Sequence, residues 1–591
     1  MINKRLSEIR KLMAQRGINA YVVTTSDPHQ SEYLADYYKT REFISGFTGS
    51  AGTAVITKDE AILWTDGRYF IQAAYELSGT EFELYKMGVP GFPTINEYLL
   101  DKVSPGGKIG LDGKTTSYDM YRNLINSLDE RMIITNLDFI NDIWKDRPQL
   151  PTGEAFVHEL KYTGTSAKQR IKAVRDKMTE YNADYYLVGA LDDIAYVYCI
   201  RGNDIKYNPV VFSYALITKD SAYLYIDEKK LTDEVKSHLD DNGIQYKPYE
   251  EITNDLGEIP GKCSLVFDPT TSNIAIIDAL GSNVTFIKKD SIIAKMKAIK
   301  NETELEHSKN AFIKDCVALV KFFNWVETGT PIGVISETLA AEKLLSYRQQ
   351  QDKFIEPSFE TIPAYGKNAA LPHYRPNPQD PVLLEARGLF LVDSGGQYLD
   401  GTTDITRTIA LGELTEDEKM HYTLTLKSHI SLIDAYFKAG TTGYYLDAFA
   451  RLPMLKEKVD YAHGTGHGIG YFLNVHEGPQ NISPRYKDVK MEKGMVVSIE
   501  PGVYVNDSHG IRIENIVAVK HVENNEFGEF LGFDILSYCP IDTRPVMIEL
   551  LTDDELNWLN NYNKKCYELL SEHLTGSDLS YLEKVTEEVK R

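Results

Sequence analysis

This sequence predicts an α/β (α+β) protein of three domains, two related copies followed by a larger third of different pattern. Three observations carry that expectation: the length, an internal repeat in the first half, and a change of character near residue 300. A chain of 591 residues exceeds what one hydrophobic core usually organises, so two to four domains are expected. The repeat accounts for two of them. Arg5-Leu6-x-x-Ile9-Arg10-x-x-Met13 matches Arg170-Ile171-x-x-Val174-Arg175-x-x-Met178, and Ile56-Thr57-Lys58-Asp59 recurs as Ile217-Thr218-Lys219-Asp220 in the same order.

Each copy opens on a helix whose apolar residues recur every three or four positions. Short apolar strands follow at Ala20–Val23 and Tyr185–Val188. The repeated Ile-Thr-Lys-Asp then turns into a further strand, Ala61–Thr65 or Ala222–Ile226. Met1 to Gly17 is basic and amphipathic, but Glu8 breaks the acid-poor pattern of a transit peptide, and the repeat makes this segment a domain element. The run Asp146–Gly164, with Pro148, Pro151 and Gly153, reads as the linker between copies. A second linker is expected near Lys289–Lys300. Beyond it come a long helix over Glu302–Glu327, a strand-rich region from Leu389, helices again over Glu416–Lys438, and a helical tail over Asp553–Leu570. The expected domains are therefore 1–150, 151–291 and 292–591.

Composition narrows the function classes. The net charge of −22 argues against nucleic-acid or anionic-membrane binding. Five scattered cysteines (Cys199, Cys263, Cys316, Cys539, Cys566) without CxxC spacing argue against a disulfide scaffold or thiolate zinc site and fit a reducing, cytoplasmic setting. No apolar run reaches membrane-spanning length.

Chemistry concentrates in the third domain. Asp393 ends the apolar strand Leu389–Val392, and the chain returns through the β-branched run Thr402–Thr408 containing Asp404. A hairpin there brings two carboxylates together, and they repel unless a cation lies between them. His463-Gly-Thr-Gly-His467-Gly-Ile-Gly470 surrounds histidines with glycines, which let backbone approach a crowded centre; no Gly-Lys-Ser/Thr follows to make it a phosphate loop. Met495–Ile499 reads as a strand ending in Glu500-Pro501-Gly502. In Gly510–Asn515 the alternation puts Arg512 and Glu514 on one face. Four carboxylates and one imidazole balance two divalent cations. The oxygen-rich set favours manganese, with cobalt or zinc as alternatives.

The order Asp393, Asp404, His467, Glu500, Glu514 resembles the ligand set of the pita-bread metallopeptidases, which include methionine aminopeptidase, prolidase and aminopeptidase P. Trp64-Thr-Asp-Gly-Arg68-Tyr-Phe70, Asn474-Val-His476-Glu-Gly-Pro479 and the tail around Glu555–Tyr562 look most like the long, three-domain cytosolic aminopeptidase P. The resemblance implies two creatinase-like N-terminal domains, and a C-terminal pita-bread domain with a curved antiparallel sheet holding two metals. It implies a homodimer that hydrolyses the N-terminal Xaa-Pro bond of peptides with proline second, through a metal-bridging hydroxide. Carried over by position, Asp404 and Glu514 bridge the metals, Asp393 chelates one, and His467 and Glu500 hold the other. Glu500 is the proton shuttle. His373 and His476 contact substrate and stabilise the oxyanion, and His467 also lies against the substrate. Arg68 binds substrate from the first domain, while His463 and Arg512 orient the ligands. Two rivals stay open: a prolidase, restricted to dipeptides, and a binding protein on an inactive scaffold.

Overall fold

The computed structural model describes residues 1–591, and its first unit, residues 1–159 with 165–293, carries the repeat into three dimensions. The first copy opens on α1 (Ile2–Arg16). It builds a six-stranded sheet from β1 (Ala20–Thr24), β2 (Thr53–Thr57), β3 (Ala61–Thr65), β4 (Phe82–Lys86), β5 (Lys108–Gly110) and β6 (Met132–Ile134), ordered β4-β3-β2-β1-β5-β6. The second opens on α2 (Ala167–Glu180). Its strands are β7 (Tyr185–Val188), β8 (Ser213–Thr218), β9 (Ala222–Ile226), β10 (Ile244–Lys247), β11 (Ser264–Phe267) and β12 (Thr285–Lys288), ordered β10-β9-β8-β7-β11-β12. Rank by rank the two orders coincide. In both, the inner three strands are antiparallel and the outer pairings parallel.

The likeness extends to single hydrogen bonds. Leu6, Ile9 and Met13 are buried on α1, and Ile171, Val174 and Met178 on α2, the stripe a surface helix lays against a sheet. Arg10 Nε donates to Thr57 O at 3.1 Å, and Arg175 Nε donates to Thr218 O at 2.9 Å. The matched arginines thus brace the matched hairpins, which close alike, with Ile56 opposite Ala61 and Ile217 opposite Ala222.

The second unit comprises residues 160–164 and 294–591. Its long helix α3 (Glu302–Gly329) starts at a capping box, in which Asn301 accepts from Glu304 N while the Glu304 carboxylate accepts from Asn301 N. There follow α4 (Glu337–Arg348), β13 (Ile362–Tyr365), β14 (Leu389–Ser394), β15 (Ile405–Ala410), α5 (Glu416–Ile433) and α6 (Gly443–Lys456). Further along come β16 (Gly466–His467), β17 (Val496–Ile499), β18 (Gly502–Val505), β19 (His509–Arg512), β20 (Asn515–Asn525), β21 (Gly528–Ile535) and α7 (Asp553–Leu570), with a last helix over Gly576–Val585. The helix expected to reach Lys438 stops at Ile433, and Phe437–Lys438 instead pairs with β21.

Strands of this unit form a curved antiparallel sheet. Leu432 and Ile433 of α5 and Leu446 and Ala450 of α6 pack on Val497, Ile499, Val517, Val519, Leu531 and Phe533. One face of β17, β20 and β21 is thereby committed to the core. No helix is long and apolar enough to cross a membrane.

Candidate metal centre

Asp393 lies within β14, paired across the ladder with Thr406 of β15. Asp404 is two residues before Thr406, so alternation puts its side chain on the same face as Asp393. The excursion between them folds back through Gly395, where an added Cβ would come within 1.9 Å of Thr403 O. Glycine is required there for the two carboxylate-bearing segments to close.

The stretch Gly510–Asn515 does not run as one strand. Ile499 of β17 opposes Asn515 of β20, and Gly502 of β18 opposes Arg512 of β19. Glu500-Pro501 on one arm and Ile513-Glu514 on the other leave the ladder between these pairings. Pro501 has no N–H to contribute. The freed amides are caught elsewhere, Glu500 N by Thr465 O at 2.8 Å and Glu514 N by Thr406 O at 3.1 Å. Both glutamates therefore emerge from one interruption.

His467 meets them from β16. An added Cβ at Gly466 would lie 1.9 Å from Ser498 O, so glycine permits the approach, and His467 N donates to Ser498 Oγ at 2.9 Å. His467 Nδ1 lies 3.0 Å from Gly468 O. A carbonyl only accepts, so Nδ1 carries the proton and Nε2 faces the carboxylates. Nε2 is 3.5 Å from Asp404 Oδ2 and 3.4 Å from Glu500 Oε1. Ligand atoms of Asp404, His467 and Glu514 all lie within 4.8 Å of one another.

The electrostatics of the bare cluster are those of a site short of positive charge. Burial, offset in part by Arg512 and reinforced by Asp404 and Glu500, raises the Asp393 carboxyl to about 6. Burial and then the fields of Asp404, Glu500 and Asp393 push Glu514 well above the usual carboxylate range. Burial alone would lower His467, but its contact with Asp404 and the charge of Glu500 raise it to about 9. Asp393 Oδ1 and Glu514 Oε1 are buried and have no hydrogen-bond partner. Buried acceptors are normally satisfied. Four carboxylates, two orphaned oxygens and an imidazole whose Nε2 faces them fit a pair of divalent cations.

Around this set lie supports of two kinds. Arg512, expected to orient a ligand, donates Nη2 to Asp393 Oδ2 at 2.6 Å, Nη1 to Tyr504 OH at 2.7 Å and Nε to Thr406 Oγ1 at 3.2 Å. His463 Nε2 lies 2.9 Å from the same Tyr504 hydroxyl. Residues that the sequence did not single out complete the frame. Thr406 Oγ1 donates to Glu514 Oε2 at 2.7 Å, and Ser498 Oγ donates to Glu500 Oε1 at 3.2 Å. Arg407, fully buried, donates Nη1 to Glu514 O and Nη2 to the hydroxyl of Tyr562. The β-branched run containing Thr406 was legible as a strand; nothing local marks Tyr504 or Arg407.

His476 stacks edge-on to His467, ring centroids 4.4 Å apart. His373 is half-buried on the segment after the short turn Gly366–Ala370. Arg68 belongs to the first unit, where Asp66 accepts from its Nε at 2.9 Å and its Nη2 at 2.8 Å.

Comparison with known proteins gives a consistent assignment along the chain. Residues 5–144 and 146–304 each match the creatinase/prolidase N-terminal domain, 306–521 metallopeptidase family M24, and 529–589 the C-terminal region of peptidase M24. Aminopeptidase P2 of Arabidopsis thaliana is 40% identical over 98% of this chain and 87% of its own length. The probable Xaa-Pro aminopeptidase P of Laccaria bicolor is 40% identical over 97% and 91%. The crystal structure of X-prolyl aminopeptidase from Caenorhabditis elegans, described as a cytosolic enzyme with a di-nuclear active site, superposes with a TM-score of 0.95 over 100% of both chains at 33% identity. The prolidase of Pyrococcus horikoshii covers only 63% of this chain, with a TM-score of 0.51.

Proposed function

The chain belongs to the Xaa-Pro aminopeptidases P of metallopeptidase family M24, and we propose from this premise how its own residues perform the reaction. It is a hydrolase that removes the first residue from peptides whose second residue is proline, at a dinuclear metal site. The observation that carries the reading is the convergence of Asp404, His467 and Glu514 within 4.8 Å, beside the orphaned oxygens of Asp393 and Glu514.

In this reading Asp404 and Glu514 would be shared by two cations, with Asp393 holding one and His467 and Glu500 the other. Manganese suits the oxygen-rich set best. When bound, such a pair lowers the pKa of a shared water enough to supply a nucleophile near neutral pH. Ser498 occupies Oε1 of Glu500, so the other carboxylate oxygen takes the proton of the attacking water and passes it toward the leaving proline nitrogen. That nitrogen has no hydrogen of its own before cleavage, which makes proton delivery essential. His476, held against His467, and His373 donate to the substrate carbonyl as it gains charge, each worth about 2–4 kcal/mol by comparison with other oxyanion donors. Arg512 keeps Asp393 aimed through two of its nitrogens' partners, and His463 acts through Tyr504. Arg68 is assigned to substrate binding on the resemblance of its motif. The domain division 1–150, 151–291 and 292–591 belongs to the same proposal, as does a cytoplasmic location, in keeping with the cytosolic relative.

A tripeptide of the form Xaa-Pro-Xaa and the dipeptide Xaa-Pro separate this enzyme from a prolidase. Release of the first residue from the tripeptide is expected. Turnover of the dipeptide alone would remove the aminopeptidase reading.

A homodimer completes the proposal. On α6, Tyr444, Tyr445, Leu452 and Leu455 are exposed, and Tyr486 adds a fifth apolar side chain in contact with Tyr444. A contiguous apolar face of this kind marks an interaction site. A second copy supplies the same residues, so the patch pairs with itself across a two-fold axis. Sedimentation velocity should show a dimer that Leu452→Glu converts to monomer; a wild-type monomer at all concentrations would exclude it.

A further inference from the structure

Glu337 stands at the first position of α4 and is fully buried. Its Oε1 accepts from Tyr365 N at 2.7 Å and from Asn368 Nδ2 at 3.0 Å. Its Oε2 accepts from Tyr374 OH at 2.6 Å, and Asn368 Nδ2 also donates to that hydroxyl at 3.0 Å. None of these donors is a cation. A buried carboxylate without a basic partner is costly, and the partial positive charge of a helix N-terminus offsets only part of that cost. Closing a turn does not require such an arrangement.

The donors bracket His373. Tyr365 and Asn368 precede it, and Tyr374 follows it directly. Tyr365 ends β13, which pairs with β14 so that Ile362 opposes Asp393. On the other side Gly510 of β19 admits the turn so closely that a Cβ there would lie 1.7 Å from Ala369 O. The segment is therefore tied to the ligand strands up to residue 370. Beyond Tyr374, residues 377–383 are exposed. The Tyr374–Glu337 bond ties the segment down just after His373, before the chain enters this exposed stretch.

We propose that Glu337 is a positioning residue for the reaction, acting through the segment that carries His373. It rests on the reading of His373 given above. Glu337 touches no reacting atom; it fixes where the imidazole stands when the substrate carbonyl gains charge. Displacement of such a donor by about 1 Å costs on the order of a hundredfold in rate.

A double-mutant cycle on the metal-loaded, full-length enzyme tests this. Glu337→Gln replaces one acceptor oxygen by a donor that meets Tyr365 N–H or the Asn368 amide, and Tyr374→Phe removes a single bond from the same network. Both should lower kcat by about ten- to a hundredfold with little change in KM, two metal ions per chain retained, and the thermal transition preserved in at least Tyr374→Phe. Combined with His373→Ala, neither should lower kcat further. Losses that multiply with that of His373→Ala, or loss of bound metal in Tyr374→Phe, would overturn the inference. Wild-type activity in His373→Ala would instead remove the role of that histidine, and the inference with it.

Discussion

Replacing Glu514 by Gln lowers kcat/KM toward Xaa-Pro peptides by on the order of 10³-fold or more, as for other residues that act as one catalytic unit, while the chain still folds. Glutamine keeps the acceptor for Thr406 Oγ1, which lies 2.7 Å from Glu514 Oε2. It replaces the buried, unpartnered Oε1 with an amide that holds no charge for a bridging cation. The effect on stability should change sign with metal. Without metal, the variant removes one of four crowded acidic groups and melts above the metal-free wild type. With metal, the wild type gains the binding energy of both ions and the order reverses. Calorimetry of both proteins in both states measures this. A variant less stable in both states would mean that Glu514 serves the fold and not the metals.

The stability of the metal-free protein falls steeply with rising pH. Asp393 stands at about 6 in the fold against an ordinary value near 3.9. The folded state thus holds its proton more tightly than the unfolded chain does. Its contribution is complete below about pH 4 and is lost as pH rises through 6, a difference of about 3 kcal/mol. Glu514 shifts in the same direction. His467, raised to about 9 from an ordinary value near 6.5, adds stability that is complete below about pH 6.5 and is lost as pH rises through 9. Asp393, Glu514 and His467 therefore each weaken the metal-free fold as they give up their protons. Divalent cations bind the deprotonated ligands, so they should stabilise more as pH rises and flatten the profile. Thermal melts from pH 5 to 9 with and without chelator test this; parallel curves would contradict it.

How far the site could be read in advance differed with the residue. Three of the five candidate ligands were legible from an unusual local pattern: Ser-Gly-Gly after Asp393, glycines about His467, Pro-Gly after Glu500. The alternation around Glu514 was misleading. It suggested an unbroken strand, whereas the ladder opens there because Glu500-Pro501 interrupts the partner. Thr406 was legible only as part of a strand, and Tyr504 and Arg407 carried no local mark at all. Their roles come from what lies across the ladder, and a tyrosine or arginine on a strand looks the same whether or not a carboxylate awaits it. Glu337 was hidden in a similar way, since an acidic residue in a first helical turn is ordinary until its burial is known.

The sequence by itself determined the repeat and the two helix–strand–hairpin copies. Short-range periodicity and turn chemistry specify such features within a few residues. Only the tertiary structure decided that Arg512 neutralises Asp393 from 119 residues away, that Thr406 orients Glu514 across 108, and that Arg407 ties Glu514 to Tyr562 of α7. Which partner faces a buried charge depends on strand register and on how the sheet curves. Both are set by packing the whole unit rather than by any segment of it.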